Sequence, residues 1–182
     1  PIAATTENWL HDCLFEILTA IHTHLDDGVP LAKWPDIIPE AHRDALRNRT
    51  GLRDRVDAYH TAVSGLTPHE RQQIAACLKQ QNRIGQLCTC VEDCELLNQL
   101  PPQSHESIRS LFDFGFSLLT ELGVRDRHYG KIYSATPYHV CPFCGSEYFD
   151  APGAPREDVD HYFPKSRYPF AAVNLRNLVP MG

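Results

Sequence analysis

Residues 138–181 read YHVCPFCGSEYFDAPGAPREDVDHYFPKSRYPFAAVNLRNLVPM and hold the densest chemistry in the chain. Two residues separate Cys141 from Cys144, and Asp160 is followed directly by His161. No Asp or Glu occurs between residue 161 and residue 182, although this part contains several basic side chains. We therefore expect this segment to carry the function and the preceding chain to support it.

Composition places the chain among ordinary globular proteins. Its 182 residues suit one medium domain or a larger and a smaller one, and 42% of them are hydrophobic. No apolar run is long enough for a membrane span, and the first residues lack the features of a secretory signal. An odd number of cysteines, seven, is poor evidence for a disulfide framework, so we expect a cytoplasmic protein.

The formal net charge of −6 argues against a protein that coats nucleic acid by bulk charge. It leaves room for a local basic site, because charge at a binding surface is set by the residues on that surface. The segment without acids at the end of the chain is the candidate for such a site.

The first part of the chain has the apolar spacing of helices. We predict a helix over residues 6–27, a second over 40–64 that Gly51 bends or splits, and a third that starts at Thr67 and includes Leu87. Residues 88–100 either extend this third helix or form a short second one. Thr67 and Glu70 form a capping-box pattern around Pro68. A fourth helix is predicted over residues 105–122, with Ser104 as its cap and Gly123 as its end.

After Gly123 the pattern changes to β-branched and aromatic residues with few helical repeats. We therefore predict a domain boundary near residue 124, with a helical bundle in residues 1–124 and a second domain in residues 125–182. The predicted fold class is mainly α.

The Cys141–Cys144 pair can place two thiolates on one ion, but a tetrahedral zinc site needs four ligands. Candidates for the other two are His139, the cysteines of residues 88–94 and residues beyond Gly182. A redox dithiol and a turn without metal remain alternatives. Cys90 and Cys94 share a helical face, where buried small hydrophobes are favoured over a metal site.

Asp158 and Asp160 are predicted to lie on one side of a strand end, with His161 on the opposite side. A carboxylate beside an imidazole suits hydrolysis, because the carboxylate can hold a divalent cation while the neutral imidazole takes a proton from water. The alternative is a surface acid pair beside a structural histidine.

The three motifs CPFCG, DVDHYFPKS and NLRNLVP, in this order, resemble the HNH endonucleases, whose nuclease core is a ββα-metal finger. The resemblance implies that Asp160 is a metal ligand and that His161 activates water. It also implies that Asn177 steadies the loop and helps to orient the histidine, with Asn174 as a rival. In the family a helix with a further metal ligand follows, so we expect the finger to be incomplete at Gly182.

By the same resemblance the chain is a metal-dependent endonuclease that hydrolyses DNA phosphodiester bonds with Mg²⁺ or Mn²⁺. It implies a structural Zn²⁺ at Cys141 and Cys144, and Lys165 and Arg167 as phosphate-binding residues. It further implies a role in bacterial defence against foreign DNA, with a partner protein such as an ATPase. The alternative is a non-catalytic zinc-knuckle module that binds protein or nucleic acid. The aromatic residues near His161 are expected to be core more often than base-stacking groups.

Overall fold

The computed structural model describes residues 5–89, 94–154 and 158–182. This part of the chain is mainly helical, which confirms the predicted fold class. Its helices are α1 (Trp9–Asp27), α2 (Glu40–Leu46), α3 (Thr50–Ser64), α4 (Pro68–Gln81), α5 (Ile84–Cys88), α6 (Pro102–Glu121) and α7 (Val124–Ala135). None of these helices is long and apolar enough to cross a membrane.

A two-stranded antiparallel sheet follows the helices. Strand β1 (Val159–His161) pairs with β2 (Leu178–Pro180), so that His161 lies opposite Leu178. The connection between the strands contains short 3₁₀ turns at Pro169–Ala171 and Leu175–Asn177. Ahead of β1, the Cys141–Cys144 turn is closed by an isolated bridge between Val140 and Tyr148.

Local sequence signals account for several helix ends. The Thr67 hydroxyl accepts the Glu70 N–H and the Glu70 carboxylate accepts the Thr67 N–H, so the predicted capping box is confirmed. Gly123 has a φ of +63° and ends α6, as predicted. Ser104 is not the cap of α6, because the helix begins at Pro102 and the Ser104 hydroxyl donates to the Pro101 carbonyl within the first turn.

Two predicted helices are divided. The helix expected over 40–64 is broken at residues 47–49, so Gly51 lies in the first turn of α3. The helix expected to include Leu87 ends at Gln81, and α5 begins after Asn82 and Arg83. Each break lies beside polar residues, which satisfy freed backbone groups at low cost.

The expectation of few helical repeats after Gly123 was wrong, because residues 124–135 form α7. The buried residues of this helix are Val124, His128, Tyr129 and Ile132. Two of these four are aromatic rings with polar atoms, so the face that packs inward does not look apolar in the sequence. Helix α7 is therefore stabilised by its tertiary packing and not by a local apolar pattern.

One hydrophobic core runs across the predicted boundary at residue 124. Residues Phe170, Val173, Leu175 and Leu178 are buried together with side chains of α1, α3 and α6. The Phe170 ring packs edge-on against Phe112 of α6, with 5.3 Å between the ring centroids. The connection between β1 and β2 is therefore part of the helical core.

Helix α6 and this connection approach closely at Gly115. A Cβ atom there would lie 2.8 Å from a methyl carbon of Val173 and 3.1 Å from one of Leu14, both of which are buried. By contrast, a Cβ atom at Gly130 of α7 would meet nothing within 4 Å. Of these two glycines, only Gly115 is required by packing.

We predict that Gly115→Ala lowers the free energy of unfolding by about 1–3 kcal/mol relative to Gly130→Ala, because both gain the same helix propensity and only the first overpacks the core. Urea denaturation of the two variants and the wild type measures the difference. Equal stability of the two variants would show that the core around Val173 relaxes freely.

Candidate functional site

The pleat of β1 separates Asp160 from His161. The Asp160 side chain is 58% exposed and the His161 side chain is 5% exposed, which confirms that the two point to opposite faces. The carboxylate Oδ1 of Asp160 accepts the His161 backbone N–H at 2.7 Å and lies 3.5 Å from the imidazole Nδ1. The pair therefore occupies one site at the surface edge of the core.

The tautomer of His161 is set by a backbone carbonyl. Nε2 lies 3.0 Å from the Ala172 oxygen, and a carbonyl oxygen can only accept a hydrogen bond. The ring proton is therefore on Nε2, which leaves the lone pair on Nδ1 beside Asp160. This arrangement is the one that a general base requires.

Burial keeps the imidazole neutral. The Phe116 ring of α6 packs on His161 with 4.6 Å between centroids. Burial lowers the pKa of His161 below its ordinary value of 6.5, although the bond to Ala172 and the charge of Asp160 act in the opposite direction. The side chain is thus unprotonated and basic at neutral pH.

Asn177 fastens the connection that carries the Ala172 carbonyl. Its side-chain oxygen accepts the Phe163 N–H at 2.7 Å, and its amide nitrogen donates to the carbonyls of Phe163 and Ala171 at 3.0 and 3.2 Å. The residue is fully buried. Asn177 therefore joins Phe163, which lies two residues after His161, to Ala171, which directly precedes Ala172.

The rival residue, Asn174, faces the helices instead. Its oxygen accepts the Arg176 N–H, and its amide nitrogen donates to the Asn82 side chain at 3.2 Å. Asn8, just before α1, donates to Asn174 and accepts the Leu175 N–H. Asn174 anchors the connection to the bundle, and Asn177 holds the part next to His161.

The helical part of the chain supplies groups that the sequence did not predict. Asp113 of α6 binds Lys165, with 2.8 Å from Nζ to the carboxylate oxygen. Arg125 of α7 forms an ion pair with Asp158, so Asp158 has a structural partner. The Arg125 guanidinium and the Lys165 ammonium lie 5.4 and 5.6 Å from the centre of the Phe116 ring.

The two predicted phosphate-binding residues differ in their partners. Lys165 is half-exposed and ion-paired, whereas the exposed Arg167 side chain has no ion pair with any residue in the described ranges. The Arg167 backbone oxygen accepts the Leu97 N–H, which fixes this turn to the bundle. No local sequence signal could place Phe116, Asp113 or Arg125 here, because they lie far away in the chain.

Backbone N–H groups point at the sulfur atoms of the Cys141–Cys144 turn. Three backbone N–H groups donate hydrogen bonds to the Cys141 sulfur and lower the pKa of that thiol. The largest effect comes from Gly182, and smaller ones come from Cys144 and Phe143. The Glu147 N–H points to the Cys144 sulfur at 3.4 Å. The two cysteines thus lie in one turn, which the Gly145 N–H closes by donating to the Cys141 carbonyl at 2.9 Å.

Among the described residues, His139, Cys88 and Cys94 do not form a metal-binding group with Cys141 and Cys144. His139 stacks on Tyr133 and its Nε2 contacts the Tyr133 carbonyl. The Cys94 thiol hydrogen-bonds to Cys77 of α4, and this contact lowers the pKa of Cys94. Cys90 lies outside the described residues.

A divalent ion at Asp160 is compatible with the donors that are present. Among the residues that the structure describes, no three His, Cys, Asp or Glu side chains form a metal-binding group. Mg²⁺ commonly uses one or two carboxylates together with substrate phosphates and water, so the exposed carboxylate of Asp160 fits such an ion.

Comparison with known proteins gives no further assignment. No model of a known protein family, no curated protein and no solved structure matches this chain.

Proposed function

We propose that this protein is a metal-dependent endonuclease of the HNH type that hydrolyses phosphodiester bonds in DNA. The observation that carries the proposal is the state of His161: a neutral imidazole whose Nε2 is held by the Ala172 carbonyl and whose basic Nδ1 faces Asp160. A histidine with only a structural role needs no such free lone pair next to an exposed carboxylate.

In the proposed reaction, Nδ1 of His161 takes a proton from a water molecule as that water attacks the phosphorus. The new P–O bond forms as the bond to the 3′ oxygen breaks, and the departing oxygen takes a proton from solvent. A divalent ion held by Asp160, Mg²⁺ or Mn²⁺, would supply charge stabilisation to the phosphate in this step.

Lys165 and Arg167 bind the phosphates on either side of the scissile bond. The exposed Lys165–Asp113 pair is worth only about 0–1 kcal/mol, so a phosphate can replace the carboxylate at little cost. Asn177 keeps the Ala172 carbonyl in place and thereby acts as a positioning residue. The defence role and the ATPase partner implied by the resemblance stay predictions.

A second candidate function is a non-catalytic zinc-knuckle module that binds protein or nucleic acid. The N–H···S contacts at Cys141 favour it, because they prepare the turn for a structural metal without any reference to His161. In that case the Asp160–His161 pair would have no effect on substrate.

We expect His161→Ala to reduce Mg²⁺- or Mn²⁺-dependent nicking of supercoiled plasmid DNA by about 10²–10⁴-fold, because the general base is lost. The protein is expressed from its complete open reading frame, and circular dichroism verifies that the variant is folded. Equal inertness of the folded wild type and variant, with DNA or protein still bound, would establish the second candidate instead.

We expect the acidic limb of the pH–rate profile to have its midpoint below 6.5, because burial lowers the pKa of His161. The rate rises with pH through this midpoint, where it is half of its maximum, and then levels off. NMR titration of the His161 ring gives the same midpoint without reference to activity, and a midpoint above 6.5 contradicts the prediction. Since the unfolded chain binds this proton more readily, His161 also makes the fold less stable as pH falls below 6.5.

Asn177→Ala removes three hydrogen bonds in a buried setting, so we expect it to lower the free energy of unfolding by about 2–4 kcal/mol. Under conditions where the variant is folded, kcat should fall more than KM rises, because the base is displaced. The exposed Asn98 provides the control, since Asn98→Ala should change neither quantity. A stable, fully active Asn177→Ala protein would show that the connection is held by its apolar packing alone.

A further inference from the structure

Four aromatic rings follow one another from the cysteine turn past the histidine site. Phe143 stacks with Tyr162 at a centroid distance of 6.3 Å. Tyr162 contacts Phe163 at 5.3 Å, and Phe163 contacts Tyr168 at 5.2 Å. We call these four residues the aromatic row.

The first half of the aromatic row is open to solvent. Tyr162 is 47% exposed and Phe143 is 46% exposed, whereas Phe163 and Tyr168 are half-buried. Phe170, in the same connection, is fully buried in the core. The row is therefore not part of the core, and its open faces are available to a ligand.

The position of the row relates it to the candidate site. Tyr162 comes directly after His161, and its N–H donates to the Asn177 carbonyl at 2.8 Å. Tyr162 lies two residues after Asp160, and both side chains are exposed to solvent. A chain that lies on the row thus passes the carboxylate that would hold the metal.

At its far end the row borders an open groove of about 860 Å³. The groove is lined by Phe163 and Tyr168, by the α4 residues Gln72, Gln73 and Gln80, and by Glu95, which accepts a hydrogen bond from Gln73. The buried Oε1 of Gln80 has no hydrogen-bond partner among the described residues. Amide side chains can donate to and accept from the edges of an unpaired base.

The charges beside the row suit a polyanion. Lys165 and Arg167 lie between Phe163 and Tyr168 in the chain, and no acidic residue occurs from 161 to 182. Arg167 is exposed and free of ion pairs within the described ranges, as noted above. Aromatic faces next to phosphate-binding cations are the combination used for single strands.

We propose that the aromatic row binds single-stranded nucleic acid by stacking unpaired bases, with the glutamine-lined groove accepting a base beyond Tyr168. A paired duplex hides its base faces in its own stack, so it could not use the row in this way. The inference rests on the proposed function in taking nucleic acid as the substrate, and it adds that the strand next to His161 is unpaired.

The test is a binding measurement by fluorescence anisotropy on the His161→Ala protein without added divalent ion. The probes are a labelled oligothymidine and a duplex of the same length, at one fixed salt concentration. We expect the oligothymidine to bind more tightly than the duplex. Tyr162→Ala should weaken its binding at least about five-fold, since stacking on one aromatic residue is worth about 1–3 kcal/mol.

Two further variants separate stacking from general effects. Tyr162→Phe keeps the ring and should bind like the parent. Tyr138 is 77% exposed and lies outside the row, so Tyr138→Ala is the matched control and should leave binding unchanged. Tighter binding of the duplex, or equal losses in Tyr162→Ala and Tyr138→Ala, would overturn the inference.

The outcome is distinguishable from a failure of the proposed nuclease function. If plasmid nicking depends on His161 while Tyr162→Ala binds oligothymidine normally, the proposed nuclease function is supported and the aromatic row has no role in binding. If oligothymidine binding depends on Tyr162 but no nucleic acid is cleaved, the binding role of the aromatic row is supported and the proposed nuclease function is refuted. Absence of binding to either probe overturns the inference as well.

Discussion

The packing of the β1–β2 connection into the helical core is the constraint on which the site depends. Val173 fills the space left by the missing side chain at Gly115, and Phe170 packs edge-on against Phe112. These contacts fix Ala172 between two buried neighbours, and its carbonyl in turn fixes the proton of His161. A loop held only by its own turns could not set a tautomer in this way, since its backbone would move relative to the imidazole.

The same burial determines the electrostatics of the site. Loss of solvent around His161 outweighs the favourable charge of Asp160, because the carboxylate is more than half exposed and screened by water while the imidazole lies under Phe116. The Phe116 ring also lies close to Lys165 and Arg125 and thereby groups positive charge at the edge of the site. One aromatic residue of α6 thus contributes both to keeping the histidine neutral and to the placement of the cations.

The sequence predicted the features that depend on neighbours in the chain and missed those that depend on distant contacts. The capping box at Thr67, the end of α6 at Gly123 and the opposite orientations of Asp160 and His161 all follow from local rules, and the structure has them. Helix α7 was missed because half of its buried face is His128 and Tyr129, which do not read as an apolar stripe. The contributions of Phe116 and Asp113 to the site could not be predicted, since no local pattern indicates which helix packs on the histidine.

In the proposed mode of binding, charge and aromatic stacking make separate contributions. A chain with a formal net charge of −6 repels nucleic acid at long range, so little affinity can come from a broad electrostatic field. Lys165 is already engaged by Asp113, and its transfer to a phosphate exchanges one ion pair for another with a small net gain. Stacking on exposed rings requires no such exchange of ion pairs, because about half of the surface of Phe143 and of Tyr162 is open to solvent. An acidic protein with a local basic turn therefore gains more affinity from a row of aromatic faces than from additional cations, and it gains that affinity only for bases that are not already paired.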